Sequence, residues 1–231
     1  NKSFGFVEFK GEEDAAYAEA LFDGYADDFD DSLSSLEYRG PAVVADAVVS
    51  ACDAAAWRMV LDLGAGTGLL ARELREKEAI PPACDVHAND VSRKMLDRAP
   101  EGLYASTTVC DAVRLEETRP GWVGRLDAVL GADVSGYIND LEPLLATAAA
   151  LLVPGGALVL TIELADDDDE AATGALGAVG PSGRYRHDVA GLLDAATALG
   201  TYEVRRRPDV VRLRKDEGAP VRGAAVVLHR R

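Results

Sequence analysis

The residues whose spacing most clearly suits chemistry lie in VLDLGAGTGLLARELRE, residues 60–76, where Asp62 is followed by Gly64, Gly66 and Gly68. An apolar run, a glycine-rich turn and then a helical pattern is the arrangement that aims backbone N–H groups at a ligand from a helix N-terminus. The glycines let the main chain approach that ligand closely. The spacing disfavours two nucleotide motifs. A triphosphate loop requires GxxxxGK followed by Ser or Thr, and Gly68 is followed by Leu69 and Leu70, so no lysine is placed for a phosphate. The dinucleotide fingerprint is GxGxxG, whereas these glycines follow GxGxG, which points away from NAD. Other reactive side chains are scattered. Cys52, Cys84 and Cys110, and His87, His187 and His229, have no partner at CxxC or HxxxH spacing, which predicts neither a disulfide framework nor a metal site.

Positioning these groups requires a scaffold, and the pattern supplies one. Apolar runs of strand length recur at 59–63, 85–89, 104–110, 126–131 and 157–162, with helical segments at 68–77, 92–99, near Leu115 and at 138–152. Strand and helix in alternation imply a parallel sheet. VLDL, DAVLGA and ALVLTI are apolar without interruption, as strands covered on both faces are. The stretch 165–180 is acidic, Gly-rich and aperiodic, and reads as a solvated loop. Beyond it come a helix at 188–199 and two β-like runs, 202–213 and 221–228, joined by the turn RKDEGAP and therefore antiparallel. Segments 13–22, the acidic DGYADDFDDS and 41–52 look helical and form an N-terminal cap, dividing the chain into 1–52 and a core at 53–231.

Composition narrows the partners. At 231 residues the chain is long enough to bury roughly 70% of its unfolded surface in a single domain. A formal net charge of −16 disfavours nucleic acid, whose affinity comes largely from Lys and Arg displacing counterions. The sole membrane-like stretch, 141–164, is divided by Pro154, Gly155 and Gly156 into helix, turn and buried strand. The first residues are not of signal type, the sequence begins with Asn and could be cut from a longer chain, and with unpaired cysteines the expectation is a cytoplasmic protein.

LDLGAGTG resembles the first motif of class I SAM-dependent methyltransferases, and the likeness continues through HANDVSRKML, CDA and the segment from Leu126 to Glu163, over most of the sequence. The resemblance implies a Rossmann-like, doubly wound, seven-stranded, mostly parallel α/β sheet with an antiparallel C-terminal hairpin, binding S-adenosyl-L-methionine and releasing S-adenosyl-L-homocysteine. It implies that Asp62, Gly64, Ala65, Gly66 and Gly68 cradle the methionine end. Asp90, 24 residues after Gly66, would bond the ribose hydroxyls beside Val91. Asp111 would accept from the adenine amine, with Met95, Cys110 and Ala112 against the ring and Ala132 nearby. Tyr25 and Arg39 would close over the cofactor from the cap, in which Tyr38 also lies. ALFDGYADDFD, YRGP, GADVSGYINDLEPLL, PSGRYRHD and LRKDEGAPVRGAAVVL are similar to a subgroup of predicted methyltransferases related to TPR-containing ones.

Such an enzyme orients donor and acceptor and needs no nucleophilic side chain, but a hydroxyl or amine acceptor benefits from a base. Asp133, Tyr137 and His187 are the candidates, His187 because imidazole titrates near neutrality, while Asp133 could instead hold the methionine amino group. The acceptor expected is a small molecule. Two alternatives remain. One is an NAD(P)-dependent oxidoreductase. The other is an RNA-associated role, since KSFGFVEF, residues 2–9, is similar to an RNP1 strand. The basic residues Arg205, Arg206, Arg207, Arg212, Arg214 and Lys215 read as the coat of an outer strand.

Overall fold

The computed structural model describes residues 12–27, 29–166 and 172–231. In chain order the elements are α1 (Glu12–Tyr25), α2 (Phe29–Ser35), α3 (Gly40–Ala51), β1 (Met59–Leu63), α4 (Leu69–Glu76), β2 (Asp85–Asp90), α5 (Arg93–Leu96) and β3 (Ser106–Val109). They continue with α6 (Leu115–Thr118), β4 (Leu126–Gly131), α7 (Glu142–Leu151), β5 (Leu152–Glu163), β6 (Gly177–Val179) and β7 (Tyr185–His187). The chain ends with α8 (Val189–Ala198), β8 (Tyr202–Glu203), β9 (Val210–Asp216) and β10 (Ala219–Arg230). The RNP1-like residues 2–9 lie outside the described residues.

The main sheet runs β3-β2-β1-β4-β5-β10-β8, with β9 on the β8 side of β10. The pairs β1–β2, β1–β4, β2–β3 and β4–β5 are parallel, and β10 is antiparallel to β5, β8 and β9. The strand order reverses between β1 and β4, so the loops after those strands diverge and leave a crevice at their carboxyl ends, where ligands of open α/β sheets bind.

Period two explains the two layers. Leu61 and Leu63 of β1, Val129 of β4 and Leu158 and Leu160 of β5 face α6, α7 and α8 in one cluster. The intervening Val60, Ala128, Leu130 and Val159 pack with α3 and α4 in the other. Both faces are covered, which is why these strands read as unbroken apolar runs. Val44, Ala45 and Val48 of α3 are fully buried in that second cluster, so α3 is a layer helix of the sheet, and α1 and α2 form the part of the cap above the crevice.

Four segments differ from the sequence reading. Residues 172–180 are not simply a solvated loop: β6 pairs β7, Ala172, Ala175 and Ala178 are buried, and the segment is tied to the stretch before α7 by the Leu141 N–H on the Ala175 carbonyl and the Gly177 N–H on the Asn139 carbonyl. The run 202–213 breaks, only Tyr202–Glu203 and Val210–Asp216 being strand, since the intervening RRRPD holds charges and a proline unsuited to a ladder. RKDEGAP shrinks to a two-residue turn, Glu217 (φ 48°) and Gly218 (φ 84°), and two successive positive φ values match the right-handed twist of a hairpin. The helix expected at 138–152 starts only at Glu142, with Pro143 in its first turn, where a missing N–H costs nothing.

Candidate functional site

A cavity of about 760 Å³ opens between the carboxyl ends of β1, β2 and β4 and the overlying α1 and α2. Ligand pockets span about 300–1,000 Å³, so this one is of the size that holds small molecules.

Its first half is built on the glycine turn. Gly64, Gly66 and Gly68 have φ of 63°, 53° and 89°, in the left-handed region that side chains avoid. Close packing adds to the requirement at Gly68, where a Cβ would stand 2.5 Å from Leu103. Gly64 and Gly66 line the cavity; Gly68 starts α4 from behind it. Asp90 ends β2 with its carboxylate pointing in: Oδ2 accepts from the Gly66 N–H at 2.8 Å and Oδ1 from the Ser92 N–H at 2.8 Å. Burial raises its pKa, those backbone bonds opposing the shift. Asp111 Oδ1 accepts from the Val113 N–H at 3.1 Å, and Asp111, Ala112 and Met95 share the lining with Val91. Spare carboxylate lone pairs at Asp90, a second carboxylate at Asp111 and apolar Met95 and Ala112 between them suit a nucleoside of S-adenosylmethionine: ribose hydroxyls as donors, the exocyclic amine as donor, a flat ring in between.

Of the residues expected from sequence to touch the cofactor, Tyr25 and Ala132 also line the cavity, whereas Asp62, Ala65, Gly68, Cys110 and Arg39 do not. Asp62 lies beneath the turn, accepts from the Tyr104 hydroxyl at 2.6 Å, and burial pushes its pKa up to about 7. Ala65 is buried against Ala88 and Leu96 while its N–H reaches the Asn89 carbonyl. Cys110 turns toward the core, its sulfur 3.4 Å from Asn89 Nδ2. Arg39 is exposed, and only its backbone is engaged, donating to the Leu213 carbonyl at 2.7 Å. Asp62, Ala65 and Gly68 lie on the side of the tight turn away from the cavity, Cys110 faces the core after β3, and Arg39 is exposed ahead of α3.

The second half holds the acceptor candidates. Asp133, at φ 76°, pairs with Arg184 at 2.6 Å. Arg184 also donates to the Tyr137 hydroxyl at 2.6 Å and lies over that ring at 4.6 Å. Glu163, at the end of β5, accepts from Arg214 at 2.8 Å and lies 3.5 Å from Arg184 Nε. All of these are largely out of solvent. For Arg184 burial opposes the charge, but Asp133, Tyr137 and Glu163 outweigh it and raise its pKa. Tyr137 lines the cavity, and burial raises its pKa despite Arg184, so the phenol stays protonated and is a donor, not a base. His187 is displaced from the expected role: it is fully buried off the cavity, Nε2 lies 3.1 Å from the Ser135 carbonyl, and burial lowers its pKa. A Cβ on Gly177 would meet its ring at 2.8 Å, so His187 is a packing residue of the β6–β7 hairpin.

Tyr38, expected with Tyr25 and Arg39 to close over the cofactor from the cap, lines the cavity, whereas sequence reasoning missed Glu163, Arg184 and Arg214. Arg214 was read as surface charge but is 4% exposed and lines the cavity. The one available signal was parity, since Arg212 and Arg214 in β9 face away from buried Leu213.

The cap is pinned by short polar contacts. Asp30 of α2 accepts from Thr67 of the glycine turn at 2.6 Å, and Asp23 of α1 accepts from Ser92 at 2.6 Å. The link 36–39, a turn with Glu37 at φ 47°, lies against β9, with the Lys215 N–H on the Leu36 carbonyl and Glu37 salt-bridged to Arg212 and Lys215. Among the described residues no group of His, Cys, Asp and Glu is arranged to hold a metal, and no helix is long and apolar enough to cross a membrane.

Comparison with known proteins gives this geometry a context. Residues 61–158 match a family model described as a methyltransferase domain. Human methyltransferase-like protein 27 is 33% identical over 147 residues, 61% of this chain and 56% of that protein, so the match spans little more than half of the relative's length. Among solved structures, the Burkholderia thailandensis 1,6-didemethyltoxoflavin-N1-methyltransferase, with 1,6-didemethyltoxoflavin and S-adenosylhomocysteine bound, superposes with a TM-score of 0.61 at 17% identity, covering 98% of this chain and 94% of that one. A DhpI complex with S-adenosylhomocysteine gives 0.61 at 19% identity, covering 95% and 98%. The glycine turn of β1 falls inside the segment matched by the methyltransferase-domain model, and the chain shares its fold with these structures.

Proposed function

We propose that the chain transfers a methyl group from S-adenosylmethionine to a small-molecule acceptor, with the nucleoside held by Asp90, Asp111, Met95 and Ala112, and the acceptor placed against Asp133, Tyr137 and Arg184. The observation that carries this reading is the continuity of the cavity: nucleoside-type contacts at one end and a desolvated polar cluster at the other share one enclosed space under the cap. When bound, the cofactor supplies an electrophilic methyl group. The protein's part is orientation and water exclusion, which can supply about 7–11 kcal/mol of a displacement barrier. Gly64 and Gly66 bring the backbone against the methionine end, and Phe22 and Phe29 close the space above it. A small acceptor is supported by the roofed cavity and the chain's acidity, and by the bound 1,6-didemethyltoxoflavin of one structural neighbour. The TPR-related subgroup remains a likeness of sequence and adds nothing about the acceptor.

Thermal shift with S-adenosylmethionine, S-adenosylhomocysteine, NAD and NADP tests the cofactor, because a ligand of the native state raises the melting temperature by mass action. The first two should stabilise and the others should not; a larger shift with NADP overturns the proposal. Incubation with methyl-labelled cofactor and a fractionated metabolite pool then tests the acceptor, with label expected in small molecules and its appearance only in RNA or protein counting against this reading.

A further inference from the structure

Resting on the methyl-transfer reading, the geometry points to an uncharged acceptor that offers a carbonyl-type oxygen to the hydroxyls of Tyr137 and Tyr38, in a pocket that rejects anions. Tyr137 accepts from Arg184 at 2.6 Å. A phenol that has accepted from a guanidinium keeps its own hydrogen to give, and is polarised into a better donor. Tyr38 lies between α2 and α3, and it lines the same cavity. Its ring folds over Gly40, where a Cβ would stand 2.3 Å from the hydroxyl, so glycine is what lets this side chain take up the position. The Tyr38 side chain is acted on by burial and by the charges of Asp133, Arg184 and Arg214, and its hydroxyl, unlike its backbone N–H, which donates to the Leu33 carbonyl, has no hydrogen bond to another described residue. Burial holds both phenols protonated, so two O–H donors face one space.

Charge decides what they are offered. Asp133 and Glu163 against Arg184 and Arg214 is two negatives against two positives, all with side chains at most 15% exposed, so the cluster is balanced in charge, while Arg184 Nε and Arg214 Nη1 keep buried N–H groups without a hydrogen-bond partner that a neutral oxygen can take up beside the phenols. Asp140 and Asp216 add negative charge to the lining, and the whole chain carries −16. An anion would be drawn out of water into a balanced or negative pocket, which costs more than a shared guanidinium returns. A neutral oxygen lone pair needs only the donors that Tyr137 and Tyr38 provide. Leu21, Phe22, Leu33 and Ile138 make the adjoining wall apolar, so the remainder of the acceptor is an apolar body.

The test measures binding to the S-adenosylhomocysteine-loaded protein, by titration calorimetry at neutral pH, of four probes sharing one ring system: naphthamide, naphthoate, naphthylmethylammonium and naphthalene. Naphthamide should bind about tenfold more tightly than naphthoate and naphthalene, the ratio one net hydrogen bond allows. Tyr137→Phe should cut naphthamide affinity about tenfold, and Tyr38→Phe several-fold, with naphthalene unaffected in both. Each removes one oxygen and keeps the ring, and Tyr38→Phe breaks no internal bond, so at least that variant reports on a folded protein. Tighter binding of naphthoate or of the ammonium probe, equal naphthamide affinity in both variants, or no probe binding to loaded protein each overturns the inference. Failure to load S-adenosylhomocysteine at all would instead sink the proposed function itself.

Discussion

The two ends of the cavity are made in different ways. At the β1–β2 end the work is done by backbone: three left-handed glycines and one carboxylate, Asp90, that organises two N–H groups of the turn and of the Ser92 cap. Every part lies within one continuous stretch of chain. At the β4–β5 end the polar groups come from four separate segments, Tyr38 from the cap, Asp133 and Tyr137 after β4, Glu163 from β5 and Arg184 and Arg214 from the C-terminal third, tied together by ion pairs.

Breaking the dispersed end should have the largest effect. Arg184→Met leaves Asp133 and Glu163 buried with half of their compensation, and removal of one member of a buried ion pair costs roughly 3–5 kcal/mol; urea unfolding should show a loss of about 3 kcal/mol. A loss under about 1 kcal/mol, the worth of a surface pair, would erase the contrast between the two ends. Next, Asp90→Ala removes a charge-assisted acceptor for the turn and for the ribose together, and S-adenosylhomocysteine affinity by calorimetry should fall about a hundredfold, given roughly 1.5–3 kcal/mol for each such bond. Stability should change less than in Arg184→Met.

A pH series sharpens the same comparison. Asp62 has its pKa raised from 3.8 to about 7, mainly by burial. Folding therefore favours its protonated form, and its contribution to stability is most favourable at low pH and declines as pH rises from about 3.8 to about 7. The melting temperature of Asp62→Asn minus that of the wild type should accordingly increase with pH across that window and level off above it. A difference that does not vary with pH would mean that the carboxyl ionises normally. The smallest effect expected is at the cap: Thr67→Val deletes one bond to the half-exposed Asp30, worth about 1 kcal/mol or less. Amide exchange in α2 should quicken while cofactor affinity hardly moves; a large loss of affinity would place α2 among the cofactor's own contacts.

What the sequence made legible follows the same division. Strand and helix alternation, the turn of Gly64, Gly66 and Gly68, and the carboxylates Asp90 and Asp111 are local patterns, and the structure puts each in the lining or directly behind it. Arg184 and Arg214 were opaque because their meaning depends on Asp133 and Glu163, which no periodicity connects to them. His187 misled for a related reason. Its chemistry suits proton removal, but the β6–β7 pairing that buries it under Gly177 comes from a stretch whose acidity and glycine content resemble solvated loop. Asp62 was correctly tied to the turn, yet its side chain supports Tyr104 and not the ligand.

The backbone bonds from link 36–39 to β9 carry a consequence for how ligands enter. Arg214, inside the pocket, and Lys215, fastened to Glu37 in that link, are successive residues of one strand. Any hinge that lifts the helices away from the glycine turn must therefore tug on the strand holding the guanidinium of the opposite half. By thermodynamic reciprocity, whatever one ligand does to the grip on its neighbour through this shared latch, the neighbour must do equally in return.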